Sequence, residues 1–249
     1  MFLFSDLFLK KYFVLFLCCI LLSSHIPSES NQTQYPKYLN KDYVLGKFNY
    51  RNDSSFVKVD TAFTSKEIYL RKETYEAFLQ MQAKAAQEGI YFHIISGTRN
   101  FEHQKRIWEY KWDVKYKELP PLERAKKILE FSSMPTSSRH HWGTDLDLNS
   151  LRNDYFSIGK GKREYDWLKK NAHEFGFYQV YTSKDDGRKG YNEEKWHWSY
   201  LPLASMYLKF YNEHIVYDDI QGFKGCELSK ELQVIEDYVN GIDSKLTQF

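Results

Sequence analysis

Ser138-Arg139-His140-His141-Trp142-Gly143-Thr144-Asp145-Leu146-Asp147 is the stretch whose reading decides the fold. Asp145-Leu146-Asp147-Leu148-Asn149 alternates polar and apolar residues, as a strand with one buried face does. Gly143 permits a sharp turn ahead of that strand, so a loop carrying His140 can fold back onto Asp147. Two distant segments complete an inventory. Glu194-Lys195-Trp196-His197-Trp198 adds a second imidazole between two tryptophans and an acid three residues before it. Ser96-Gly97-Thr98-Arg99 adds an arginine at the end of a β-rich run. Two imidazoles, a carboxylate ligand, a spare carboxylate and an arginine are what a hydrolytic Zn²⁺ centre requires.

Working outward, residues 72–88 read as a helix with Tyr75, Phe78, Leu79, Ala85 and Ala86 on one face and Gly89 at its end. Ile90–Ile95 reads as a strand. Helices follow over Asn100–Trp112, from Pro121 through Ala125, Ile128 and Leu129, and over Tyr165–Phe175, stopped by Gly176. Phe177–Tyr181 and Trp196–Tyr200 are strand candidates, with a turn at Asp186-Gly187. Helices and strands mix without regular βαβ alternation, which predicts an α+β fold with a small antiparallel sheet flanked by helices.

The 249 residues suit one domain or two, and 42% hydrophobic with 18% aromatic content supports a sizeable core. A net charge of +2, with no basic-aromatic stripe, gives no case for nucleic acid. Lys10 and Lys11, the apolar run Tyr12–Leu22 and the small polar residues Ser23–Ser30 have the order of a secretory signal. Met1–Leu9 leaves an uncleaved membrane anchor as an alternative, and Cys18 and Cys19 a lipidated one. The organisation expected is a signal peptide or anchor over 1–30, a linker and arm over 31–68, a catalytic domain over 69–202 and a helical extension over 203–249. Loss of residues 1–30 leaves Cys226 as the sole cysteine, so the remaining chain forms no internal disulfide. Export to the periplasm or cell envelope follows, as a monomer.

Two positions stay open on the residues alone. Asp145 shares the face of Asp147, so it either competes as a ligand or holds a ligand histidine by its second nitrogen. His141 reads as a supporting or surface residue, and His93, His103, His173 and His214 as ordinary.

Ser138-x-His140-x-x-Gly143-x-x-x-Asp147, followed by Glu194-x-Trp196-His197-Trp198, resembles the zinc D-alanyl-D-alanine carboxypeptidase family of the VanY and LdcB type. More distantly it is similar to the VanX dipeptidases and the Hedgehog signalling domain. Ser96-Gly97-Thr98-Arg99, with Gln104 five residues on, resembles the upstream arginine motif of that family. The similarity runs from about Tyr69 to Leu201; Asp145 departs from it, standing where many members have alanine. The resemblance implies one Zn²⁺ per chain held by His140, Asp147 and His197, with Glu194 as general base and Arg99 polarising the scissile carbonyl. It makes Ser138 a substrate contact, with Gln104, Ser96 and Trp196 also on the substrate side. The implied substrate is a peptidoglycan stem peptide losing its terminal D-alanine, D,D bonds preferred over L,D. An endopeptidase, a D,D-dipeptidase or a non-catalytic zinc-stabilised wall-binding module are the alternatives.

Overall fold

The side chains of Asp145 and Asp147 leave their strand on one face and those of Leu146 and Leu148 on the other, and this alternation organises the molecule. The computed structural model describes residues 35–246. The expected signal or anchor segment lies outside them. In chain order the elements are α1 (Lys41–Val44), β1 (Phe56–Lys58), β2 (Tyr69–Arg71), α2 (Lys72–Ala86), β3 (Ile94–Ser96) and α3 (Phe101–Tyr110). After these come α4 (Pro121–Leu129), β4 (Asp145–Leu148), α5 (Gly159–Asn171), β5 (Phe177–Gln179), β6 (His197–Tyr200) and α6 (Leu201–His214). β1 and β2 form a two-stranded antiparallel sheet; the main sheet has the order β3-β4-β6-β5, every pair antiparallel. The fold is thus α+β with small antiparallel sheets and helices.

One core contains Ile94, Leu146, Leu148, Phe177 and Trp198 from the main sheet, packed with Phe78 and Met81 of α2 and Leu168 of α5. A second core joins the N-terminal arm (Tyr43, Val44, Phe56) to α3, α4 and α6, and takes in Ile215, Phe223, Val234, Val239 and Ile242 beyond α6. Residues past 203 therefore contribute apolar side chains to the same core as Trp108, Trp112 and Tyr181. The helical patterning at Leu232–Val239 yields a single π turn, Val234–Val239, rather than a long helix.

Other departures from sequence expectation have local causes. Leu79 is 37% exposed, and Met81 takes the buried place on α2 instead. Residues 90–93 are not strand. Ile90 N–H donates to Ala85 O (3.0 Å) and Phe92 N–H to Gln82 Oε1 (2.7 Å), so the end of α2 satisfies backbone groups that a neighbouring strand would have taken. α3 starts as expected, with Asn100 Oδ1 accepting from His103 N–H (2.9 Å), and runs into a π turn over Lys111–Lys115. No helix among the described residues is long and apolar enough to cross a membrane.

Candidate metal centre and active site

Strand register assembles the site. Ser96 of β3 pairs with Asp147 of β4, which pairs with His197 of β6, so three side chains from three strands share one row. Asp145 pairs with Ser199 one step along the same face. His140 arrives from outside the sheet, on the 3-10 turn Arg139–Trp142. Gly143 ends that turn at φ +74°, and a Cβ there would stand 2.4 Å from Phe56 Cε1. Only glycine therefore carries the chain from the His140 turn into β4 at this spacing.

The two imidazoles are held by their outer nitrogens. His140 Nδ1 donates to Gly97 O (2.8 Å), leaving Nε2 3.4 Å from Asp147 Oδ1. His197 Nε2 donates to Asp145 Oδ1 (2.9 Å), leaving Nδ1 3.1 Å from Asp147 Oδ1. The rings stand edge to face with centroids 4.9 Å apart. One donor atom each from His140, Asp147 and His197 falls within 4.8 Å of the others, and all three residues are buried. Two imidazole nitrogens, each ring held at its other nitrogen by a hydrogen bond, and a carboxylate oxygen are a donor set that fits a Zn²⁺-type ion. Burial disfavours charge on His197, but its contacts with Asp145 and Asp147 prevail and raise it to about 9 in the metal-free protein.

Asp145 holds a ligand histidine from behind. Its Oδ1 also accepts from Arg139 Nε (3.1 Å) and its Oδ2 from Thr144 Oγ1 (2.6 Å). Arg139 Nη2 donates to Ser199 Oγ (2.8 Å), and the guanidinium lies 4.8 Å from the Trp142 ring centroid. Burial pushes the Asp145 carboxyl up, yet Arg139 and His197 outweigh it and keep it well below the usual carboxylate range. His141 is fully buried; its Nδ1 donates to Arg99 O (2.6 Å) and its Nε2 accepts from Thr136 N–H (3.1 Å), so it braces the loop beneath Arg99.

The remaining candidates surround the same cleft, of about 590 Å³. Glu194 Oε2 lies 3.7 Å from His197 Nδ1, beside the cluster and outside it. Burial raises Glu194 to about 8, Asp147 adding to the effect and His197 opposing it. Arg99 is aimed by Gln104 Oε1, which accepts from Nε (2.9 Å), and by Ser96 Oγ, which accepts from Nη1. Its Nη1 stands 3.8 Å from Asp147 Oδ2. Gln104 Nε2 in turn donates to Ser133 O (2.9 Å). Ser138 Oγ is buried without a partner, and Trp196 forms cleft wall with Phe131, ring centroids 6.1 Å apart. Ser96 thus reaches the site through Arg99 and is absent from the cleft lining, whereas Gln104, Ser138 and Trp196 line it. None of His93, His103, His173 and His214 does. The sequence reading missed Lys111, Arg139 and Tyr181. Lys111 lies seven residues after Gln104, Arg139 sits inside the His140 motif, and the Tyr181 ring centroid is 4.7 Å from that of His197.

Two histidines and an aspartate at a cleft floor, flanked by a buried acid and an oriented arginine, define a metal site of hydrolytic type. The model of the VanY family, D-alanyl-D-alanine carboxypeptidase, matches residues 67–203, and the chain belongs to that family. It is 28% identical over 171 residues to YodJ of Bacillus subtilis (strain 168), covering 66% of this chain and 58% of the relative. It is also 28% identical over 137 residues to a D-alanyl-D-alanine carboxypeptidase of Enterococcus faecium, covering 55% of this chain and 39% of the relative. The chain thus matches 58% and 39% of these two relatives' lengths. Among solved structures, the LdcB LD-carboxypeptidase superposes with a TM-score of 0.50 at 23% identity, covering 78% of this chain and 79% of that one. That likeness is one of fold.

Proposed function

We propose that this chain is an exported, zinc-dependent carboxypeptidase that releases the C-terminal D-alanine of peptidoglycan stem peptides, favouring D,D over L,D bonds. The observation that carries the reading is the buried His140–Asp147–His197 cluster with Glu194 and Arg99 both turned toward the same cleft. Family membership supports the substrate class. When bound, Zn²⁺ supplies a water acidified to near neutral pH and a Lewis acid for the scissile carbonyl.

The protein's own groups do the rest. Glu194, buried beside the cluster with its Oε2 3.7 Å from His197 Nδ1, takes a proton from the attacking water and delivers it to the leaving amine. That place, outside the His140–Asp147–His197 cluster, suits a base rather than a ligand. Arg99, held in one orientation by Ser96 and Gln104, donates to the carbonyl oxygen as negative charge develops there; one such donor is typically worth roughly 3–4 kcal/mol. Ser138 offers a hydroxyl with no protein partner, which suits a hydrogen bond to the substrate backbone. Trp196 and Phe131 give the cleft an apolar wall for the stem peptide.

A non-catalytic binding module would have no use for Glu194 and Arg99 oriented into the cleft. Export to the periplasm or cell envelope, by a leader over residues 1–30 that is cleaved or kept as an anchor, and action as a monomer belong to the same proposal. The test is mass spectrometry of synthetic tetra- and pentapeptide stems incubated with zinc-loaded protein. Loss of one terminal alanine supports the reading. Loss of a dipeptide, or internal cuts alone, assigns a dipeptidase or an endopeptidase instead. No cleavage of any stem leaves the binding module.

A further inference from the structure

Among the described residues four cations line the cleft: Arg99, Lys111, Arg139 and Arg152. Three have partners that account for their charge. Arg99 is directed at the metal cluster by Ser96, Gln104 and Asp147. Arg139 is buried against Asp145 and Ser199. Arg152 is bound to Asp154 at the mouth, its side chain 77% exposed.

Lys111 is different. It is half-buried and forms no ion pair among the described residues; its ammonium donates to the neutral Ser132 Oγ. Burial, with Lys115 and Arg99 nearby, lowers it to about 8, so it is still charged at neutral pH. Glu194 is close enough for its charge to act on it in the opposite sense. A half-buried, unpaired ammonium costs free energy that an incoming anion recovers.

Its position has a simple origin. Gln104, Ile107 and Lys111 follow one another at helical spacings of three and four, so one stripe of α3 and its π turn faces the cleft. Gln104 anchors the Arg99 end, and Lys111 lies about 10 Å further along the axis. Arg99 and Lys111 line one cleft and are close enough for their charges to act on each other, so a peptide whose scissile carbonyl faces Arg99 can turn its charged end to the flexible lysine side chain. With Arg99 engaged at the carbonyl, Arg139 neutralised and Arg152 at the mouth, one cation is left for a carboxylate.

We propose that Lys111, together with the Ser132 hydroxyl, anchors the free C-terminal carboxylate of the substrate and sets the preference for a free chain end. This rests on the carboxypeptidase reading above. Ser132 accepts from the lysine, which leaves its own O–H to donate to the same carboxylate. A neutral amide in that place would leave the ammonium desolvated and unpaired.

The experiment measures binding and turnover separately. Binding of a stem pentapeptide ending in D-alanyl-D-alanine, and of its C-terminal amide, is followed by calorimetry with zinc-loaded Glu194→Gln protein, with and without Lys111→Met. The expected result is a preference for the free acid of about 100-fold that falls to within a fewfold in Lys111→Met, through weaker binding of the acid alone. Lys111→Arg should keep most of it, and zinc content should be equal in all variants. A preference that survives Lys111→Met, or no preference in the parent, overturns the assignment. Equal weakening of acid and amide does so too, because the lysine would then serve some other group of the peptide. Turnover of the same peptides by protein with Glu194 intact tests the carboxypeptidase reading independently. Acid-selective binding without cleavage would sink that reading and leave the anchor standing.

Discussion

Asp145→Ala removes one member of a buried pair while leaving the other in place. The Arg139 side chain is 1% exposed and Asp145 is fully buried, so the guanidinium would keep Ser199 as its hydrogen-bond partner and lose its counter-charge. Breaking such a pair from one side typically costs about 3–5 kcal/mol. For a chain of this size each kcal/mol moves the melting midpoint by roughly 2–4 °C, which gives a drop on the order of 10 °C. His197 Nε2 would lose its acceptor at the same time. Removing the group behind a ligand histidine typically weakens metal binding by about 10- to 100-fold. Thermal unfolding in chelator reads the first effect, and zinc competition against a chromophoric chelator reads the second. Arg139→Met combined with Asp145→Leu takes out both charges and should recover most of the stability, but none of the metal affinity. If Asp145→Ala unfolded within 1–2 °C of the parent, roughly the effect of an ordinary surface substitution, and bound zinc equally well, this account of the pair would be wrong.

Gly143→Ala should destabilise by about 2 kcal/mol or more, since alanine at φ +74° is strained and its Cβ would press on Phe56; an unchanged denaturation midpoint would contradict this. Arg99→Lys should retain zinc and lose most turnover, because an ammonium lacks the planar fork that lets Nε bond Gln104 and Nη1 bond Ser96 while the guanidinium faces the carbonyl; wild-type kcat would refute it. His103 should make the fold acid-sensitive. Burial, with Arg99 and Arg106, lowers its pKa in the folded chain to about 4, against about 6.5 unfolded. The unfolded chain thus binds the extra proton between those values. This contribution to stability is whole above pH 6.5 and is lost as pH falls toward 4. His103→Gln should flatten that limb of the stability profile, and an identical slope in parent and variant would rule the effect out.

The site was legible to the extent that local patterns encode it. Asp145-Leu146-Asp147-Leu148 declared both a strand and which of its faces is polar, and Gly143 declared the turn that returns His140. Register was not legible. Nothing in the residues states that Ser96, Asp147 and His197 share a row, because that depends on the order β3-β4-β6. The two roles open to Asp145 were separable only once Arg139 and Thr144 were seen to occupy its oxygens. Lys111 escaped notice because its stripe, Gln104-Ile107-Lys111, mixes amide, alkyl and ammonium groups and has no apolar period to read. The segment after α6 carries Gly222 and Gly225 at its bends, so its share of the core comes from tertiary packing rather than from a helical pattern.

The central claim is that a metal held by His140, Asp147 and His197 serves a reaction whose proton Glu194 carries. Its most direct measurement is release of free alanine from a stem pentapeptide, recorded with zinc content on the same samples, for the parent and for Glu194→Gln. The account predicts equal zinc in both, release of one alanine by the parent, and a loss of about 100-fold or more in the variant. Loss of zinc along with activity would make Glu194 a ligand. Undiminished release from Glu194→Gln would contradict the account outright.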